Sequence, residues 1–235
     1  MIDLLRTLQY NREEENAMAA RKDLSQVAYS YLIDQLTGRK LEPGNLIEPR
    51  DIAGQLDISI SPVHKALHRL AHEGFVKIIP RKGSFVENSN PSSLMDQMML
   101  REAIECQAAR IYCGAPVQEN KDRLLQIAEK LEKTPASYQE HWKHEIEYHS
   151  LLVSLSGCSS LIRSFKNNIR LSLFLSINLY YEESTDRESH VELTERLTVH
   201  SPQKAEKIIR EHLRSGKPAF LRNLFLIEGK SWERI

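Results

Sequence analysis

Cysteine is scarce: the 235 residues hold three, Cys106, Cys113 and Cys158. So few and so scattered, they exclude a disulfide framework and a thiolate zinc cluster, and they suit a reducing compartment. An excess of one charge is also missing. Thirty-two Lys and Arg balance 32 Asp and Glu, so bulk charge names no partner, although a neutral total can hide a small basic face. Long apolar runs are absent too. The most apolar helical segment, LSLFLSINLYY, is too short and too interrupted by serine to cross a bilayer. The start, MIDLLRTLQYNREEEN, lacks the basic-then-apolar order of a secretory signal. These absences predict a soluble, cytoplasmic protein without a membrane partner.

What is present falls into parts of different kind. Residues 1–23 are charge-rich and weakly periodic and read as an N-terminal extension. Residues 24–87 alternate short helical patterns with turn signals. Residues 88–93, NSNPSS, are small and polar and read as a linker. Residues 94–230 are almost wholly helical in pattern, with about six segments near 94–113, 117–133, 137–156, 159–182, 186–199 and 202–227, which an antiparallel bundle would pack. The fold class expected is mainly α: a small mixed N-terminal domain followed by an all-α helical bundle.

In the first domain, LSQVAYSYLIDQLTG ends a helix at Gly38. Pro49 can open a second, RDIAGQL, and Ser61 with Pro62 reads as the cap and first turn of a third. FVKII and SFV, around PRKG, form a ribbon with a basic tip. This order is that of a winged helix-turn-helix. In the third helix Val63, Ala66, Leu67 and Leu70 make a seating stripe. The opposite side carries His64, Lys65, His68, Arg69 and His72, donors suited to a major groove. His64, His68 and His72 stack on one helix face, and one helix cannot enclose a cation. At the ribbon, Arg81 and Lys82 would neutralise phosphates and Gly83 would let the backbone approach closely.

These stretches, LEPGNLIEPRDIAGQLDIS, SPVHKALHRLAHEGFV and PRKGSFV, resemble the DNA-binding domain of the GntR family of bacterial transcription regulators over residues 24–86. The resemblance implies a double-stranded DNA operator as partner. It places Arg50 on a phosphate, Ser59, Ile60, Ser61, His64 and Lys65 at the groove, His68 near a phosphate, and Arg81, Lys82 and Gly83 at the wing tip. The family usually has arginine at the positions of Ile60 and His64. Isoleucine donates no hydrogen bond and histidine is shorter, so a divergent operator and weaker phosphate binding are expected.

In the helical part, HEIEYHSLL spaces Glu145 and His149 four apart, SHVELTERL places His190 early in its helix, and REHLRSG places His212 midway along the last. One carboxylate and three imidazoles from three helices could surround a divalent cation, although on spacing alone surface or hydrogen-bonded core histidines are commoner. Residues 94–227 resemble the FCD ligand-sensing domain of the FadR branch of GntR regulators. That resemblance implies that Glu145, His149, His190 and His212 hold a metal, zinc first and nickel or manganese also compatible, beside a small organic acid. The family more often has aspartate at 145, and Cys158 stands where asparagine is usual. Arg101, four before Glu105, either makes a plain ion pair or faces the effector. Asn168, Ser172 and Ser176 form a polar stripe that either packs helices or lines the effector cavity. His141, His144 and His200 read as solvent-facing, with His144 the nearest to the site. The whole implies a homodimeric one-component regulator, a repressor, reading half-sites about one helical turn apart. The alternatives are a metal-free effector pocket or a metal-dependent hydrolase or lyase, the last with no nucleophile–base pair in view.

Overall fold

A computed structural model describes residues 24–133, 138–179 and 189–215. Two compact units divide between Asn88 and Ser89. In the first, α1 runs over residues 24–37 and buries Ala28, Tyr29, Leu32 and Leu36, one face of a helix. After β1 (Leu46–Ile47), Pro49 opens α2 (Pro49–Leu56), which Asp57 ends in the left-handed region at φ 52°. The third helix, α3 (Ile60–His72), buries Val63, Ala66, Leu67 and Leu70 as the stripe requires. It begins earlier than Ser61 and Pro62 suggest, with Ser59 at the N-cap. Pro62 then stands deeper in the first turn, where it is tolerated because those N–H groups have no intrahelical acceptor.

The ribbon is a three-stranded antiparallel sheet, in the order β1–β3–β2. In it β2 (Val76–Ile79) pairs with β3 (Gly83–Val86), Val76 opposite Val86 and Ile79 opposite Gly83. The added strand pairs Leu46 with Phe85 and Ile47 with Ser84. The turn is closed by the Lys82 N–H, which donates to the Ile79 carbonyl at 3.0 Å. Pro80 sits at its second position and Arg81 at its third with φ 63°, the pattern of a type II turn.

The stretch NSNPSS is only partly linker. Asn90 Oδ1 accepts from the Ser93 N–H at 2.8 Å, and Pro91 opens α4 (Pro91–Tyr112). There follow α5 (Ala115–Glu119), α6 (Lys121–Glu132), α7 (Tyr138–Ser154), α8 (Ser159–Leu179), α9 (His190–Arg196) and α10 (Pro202–Ser215). The segment expected over 117–133 is divided at Asn120, which leaves helical geometry and whose Nδ2 donates to the Pro116 carbonyl at 2.9 Å. Helix α4 packs on α8 and α10, and α6 packs on α7 and α9. Between them lies a core that includes Ile104, Tyr112, Leu124, Tyr148, Phe165, Leu193 and Ile209. His200 is exposed, as expected, and its ring also lies beside Gly114. A Cβ added at Gly114, which has φ 85°, would fall 2.9 Å from the His200 ring. The turn after α4 therefore favours glycine for its positive φ.

Candidate functional site

Helix α7 carries Glu145 and His149 one turn apart, so both face the same way. His190 is the first residue of α9, where Ser189 caps the helix by accepting from the Val191 and Glu192 N–H groups. Glu132 of α6 fixes that start from outside, its Oε1 accepting from the Ser189 hydroxyl and the His190 N–H, each at 3.0 Å. The Tyr148 hydroxyl lies 2.8 Å from Thr194 Oγ1 and donates to the His190 carbonyl at 3.3 Å. His212 comes from the last turn of α10.

These three histidines are 0 %, 5 % and 7 % exposed, and one ring nitrogen from each lies within 4.8 Å of the other two. Nε2 of His149 and Nε2 of His190 are buried and make no hydrogen bond among the described residues. Glu145 approaches both, Oε2 at 3.3 Å from His149 Nε2 and Oε1 at 3.5 Å from His190 Nε2. Burial pushes the Glu145 carboxyl up, but His190 and His149 outweigh it and hold the group well below the usual carboxylate range. An ionised carboxylate within 3.5 Å of two buried imidazole nitrogens is a donor set that fits a divalent cation.

The opposite nitrogen of His149 is engaged. Its Nδ1 lies 2.6 Å from Oε2 of Glu105, and Arg101 Nε donates to Oε1 of Glu105 at 2.6 Å. Glu105 is fully buried, which raises its pKa, yet His149 and Arg101 bring it down to about 2. Arg101 also lies 4.0 Å from Glu145, so the i, i+4 ion pair read in the sequence forms and stands beside the imidazoles. The other expected effector residues make different contacts. Asn168 Nδ2 donates to the carbonyl and side chain of Gln97 on α4 at 2.9 and 2.8 Å. Ser172 donates to Asn168 at 3.4 Å and Ser176 to the Ser172 carbonyl at 2.8 Å.

Two residues beside the site escaped the sequence reading. Glu105 was visible only as the partner of Arg101. His141, not His144, borders Glu145, with Nε2 4.0 Å from Oε1, whereas His144 Nδ1 lies 3.4 Å from Glu147. The signal was available, since His141, Glu145 and His149 are spaced by four and lie along one side of α7.

In the first unit, Arg50, Ser59, Ile60, Ser61, His64, Lys65, His68, Arg81, Lys82 and Gly83 are all exposed. His64 and His68 line a cleft of about 340 Å³ with Pro49, Ile78 and Arg81, between α3 and the sheet. His72 is exposed at the end of α3. Gly83 lies one residue past the turn and opens β3 at φ 118°, where an added Cβ would fall 2.9 Å from Leu46 Cδ1. Arg69 turns away from the other outward-facing residues of α3. Its guanidinium lies 3.7 Å over the Tyr29 ring, and it bonds Glu73 and Gln26, each at 2.9 Å.

Comparison with known proteins agrees with both halves. The family of bacterial regulatory proteins called gntR matches residues 24–86, and the FCD domain matches residues 96–215. The chain belongs to the GntR family. This GntR regulator is 28% identical over 178 residues to the Nta operon transcriptional regulator of Aminobacter aminovorans, covering 73% of this chain and 82% of the relative. It is 22% identical over 227 residues to the fatty acid metabolism regulator protein of Shewanella frigidimarina, covering 88% and 90%. Its fold is that of a putative GntR transcriptional regulator from Rhodococcus sp. RHA1 (TM-score 0.65, 18% identity, 89% and 99% covered). It is equally that of E. coli McbR/YncC (TM-score 0.67, 19% identity, 86% and 98% covered). The GntR protein is thus a DNA-binding transcriptional regulator with an FCD effector-binding domain, not an enzyme. Among the described residues no helix is long and apolar enough to cross a membrane.

Proposed function

We propose that the protein is a cytoplasmic, homodimeric repressor whose operator binding is controlled by a small organic acid at a metal site in the FCD domain. The observation that carries this reading is the convergence of His149, His190 and His212 from three helices, with ring nitrogens within 4.8 Å and Glu145 against two of them. The three imidazoles and the carboxylate would hold the cation, a set compatible with zinc, nickel or manganese, with zinc first because the family resemblance implies it. Bound there, the cation supplies a positive centre for the effector's carboxylate. Arg101, 4.0 Å from Glu145, is the residue placed to meet a second anionic group. In the DNA-binding unit, His64 and Lys65 reach the major groove while Arg50, His68, Arg81 and Lys82 neutralise phosphates. Effector binding regulates only to the extent that it favours one arrangement of the dimer over another.

Metal analysis of the full-length protein tests this. After reconstitution with zinc and gel filtration, the parent retains about one equivalent per chain, as a closed three-helix site requires. His190→Ala retains less than about a tenth of that, the scale on which a missing ligand weakens such sites. A parent that retains no zinc, nickel or manganese overturns the metal-dependent reading.

A further inference from the structure

His149 lies between two carboxylates. Glu145 faces its Nε2 at 3.3 Å and Glu105 faces its Nδ1 at 2.6 Å. The two contacts differ in kind. Glu105 is on α4, not on the helix that carries His149, and is 1 % exposed. Both of its oxygens are committed, Oε2 to His149 and Oε1 to Arg101 at 2.6 Å. With Oε1 accepting from Arg101, Oε2 faces His149 as an acceptor, so Nδ1 is the donor of that 2.6 Å contact. With the proton at Nδ1, the neutral imidazole, which is the form that binds a cation, presents its lone pair at Nε2. That nitrogen faces Glu145, which also faces Nε2 of His190.

We propose that Glu105 is the positioning residue of the metal site: held by Arg101, it fixes the ring and the tautomer of His149 so that Nε2 is the ligating atom. The inference rests on the metal-site reading above. It gives the Arg101–Glu105 pair a role that an ordinary ion pair one helical turn apart does not have, because the pair's far oxygen reaches another helix. It also gives Arg101 two duties, since the guanidinium that holds Glu105 lies 4.0 Å from Glu145 on the ligand side.

The test compares zinc affinity, by chelator competition, in the full-length parent, Glu105→Gln, Glu105→Leu and Glu102→Gln. Glu102 is the control: it too is buried on α4 but engages Arg210 and Arg214 on α10. Loss of an outer hydrogen-bond partner weakens metal sites by about 10–100-fold. That loss is expected for Glu105→Gln and a larger one for Glu105→Leu, with Glu102→Gln within about twofold of the parent. Nitrogen-15 spectra of histidine-labelled, zinc-loaded parent should show His149 ligated through Nε2 and protonated at Nδ1, a signature that a purely structural glutamate would not set. Parent-like affinity in both Glu105 variants overturns the positioning role and leaves the metal site standing. A parent that binds no zinc overturns both. If the variants do not fold, the parent spectrum decides alone, and ligation through Nδ1 overturns the proposal.

Discussion

Arg81 sits where the chain would prefer glycine. At the third position of the wing turn it has φ 63°, in the left-handed region that costs an ordinary residue about 1–2 kcal/mol. Its side chain is exposed and borders the cleft beside His64 and His68. Two opposite effects are therefore expected of Arg81→Gly. Thermal melting should show the winged unit stabilised by up to about 1 kcal/mol, the backbone penalty less the extra freedom of glycine in the unfolded chain. Operator titration across salt concentrations should show weaker binding and a slope shallower by about 0.9, because one phosphate is no longer neutralised. Unchanged affinity and slope would remove Arg81 from the interface. The basic tip was legible in the sequence as composition. The strain was not, because Pro80 announces a turn while only the backbone shows which residue takes the positive φ.

Helices α1 and α3 are clasped by one side chain. Arg69 lies over Tyr29 and bonds both Glu73 and Gln26, and Tyr29 donates to Glu73 at 2.6 Å. Arg69→Ala should destabilise the winged unit by about 1 kcal/mol, a cation–π contact at a half-exposed site plus a weak ion pair. The salt dependence of operator binding should stay as it was. Lys65→Ala, whose side chain has no part in that clasp, should do the reverse: melting unchanged and slope shallower by about 0.9. A slope change in Arg69→Ala would show that its guanidinium leaves Tyr29 for DNA. Most elements were readable from periodicity, caps and breakers, because α2, α3 and the two main strands each carry a local signal. Strand β1 was not, since two residues have no period and exist as a strand only by pairing with Phe85 and Ser84. The break at Asn120 was hidden for a similar reason, as asparagine inside a polar helical run is an ordinary surface choice until its amide caps the turn before it. Glu105 and His141 share that lesson. The spacing of each was visible, but which of its neighbours a residue meets across helices is decided by packing.

At the scale of the molecule, the residues proposed to read DNA lie in one compact unit and the imidazole cluster in the other, divided at Asn88 and Ser89. The proposed metal site draws on α7, α9 and α10, all within the second unit. Calorimetry should therefore resolve two transitions that respond differently to a chelator. With free metal at about 100 times its dissociation constant, binding stabilises the helical unit by about 2.7 kcal/mol. EDTA should remove that and lower one transition while the winged unit melts as before. If both transitions move together, the two units do not unfold independently.

The three thiols are reduced and unequal, which has a practical consequence. Cys106 is buried against α10, its Sγ 3.8 Å from the Glu206 carbonyl, and burial pushes its pKa up to about 12, so it keeps almost no nucleophilic thiolate near neutrality. Cys113 at the end of α4 and Cys158 before α8 are only half-buried. The chain thus carries two ready attachment points for spin labels, both in the helical unit and on different helix ends. With either one replaced by serine, a label on the other, measured by electron–electron resonance, would return a single distance in a symmetric dimer and none in a lone chain, without a cysteine having to be added.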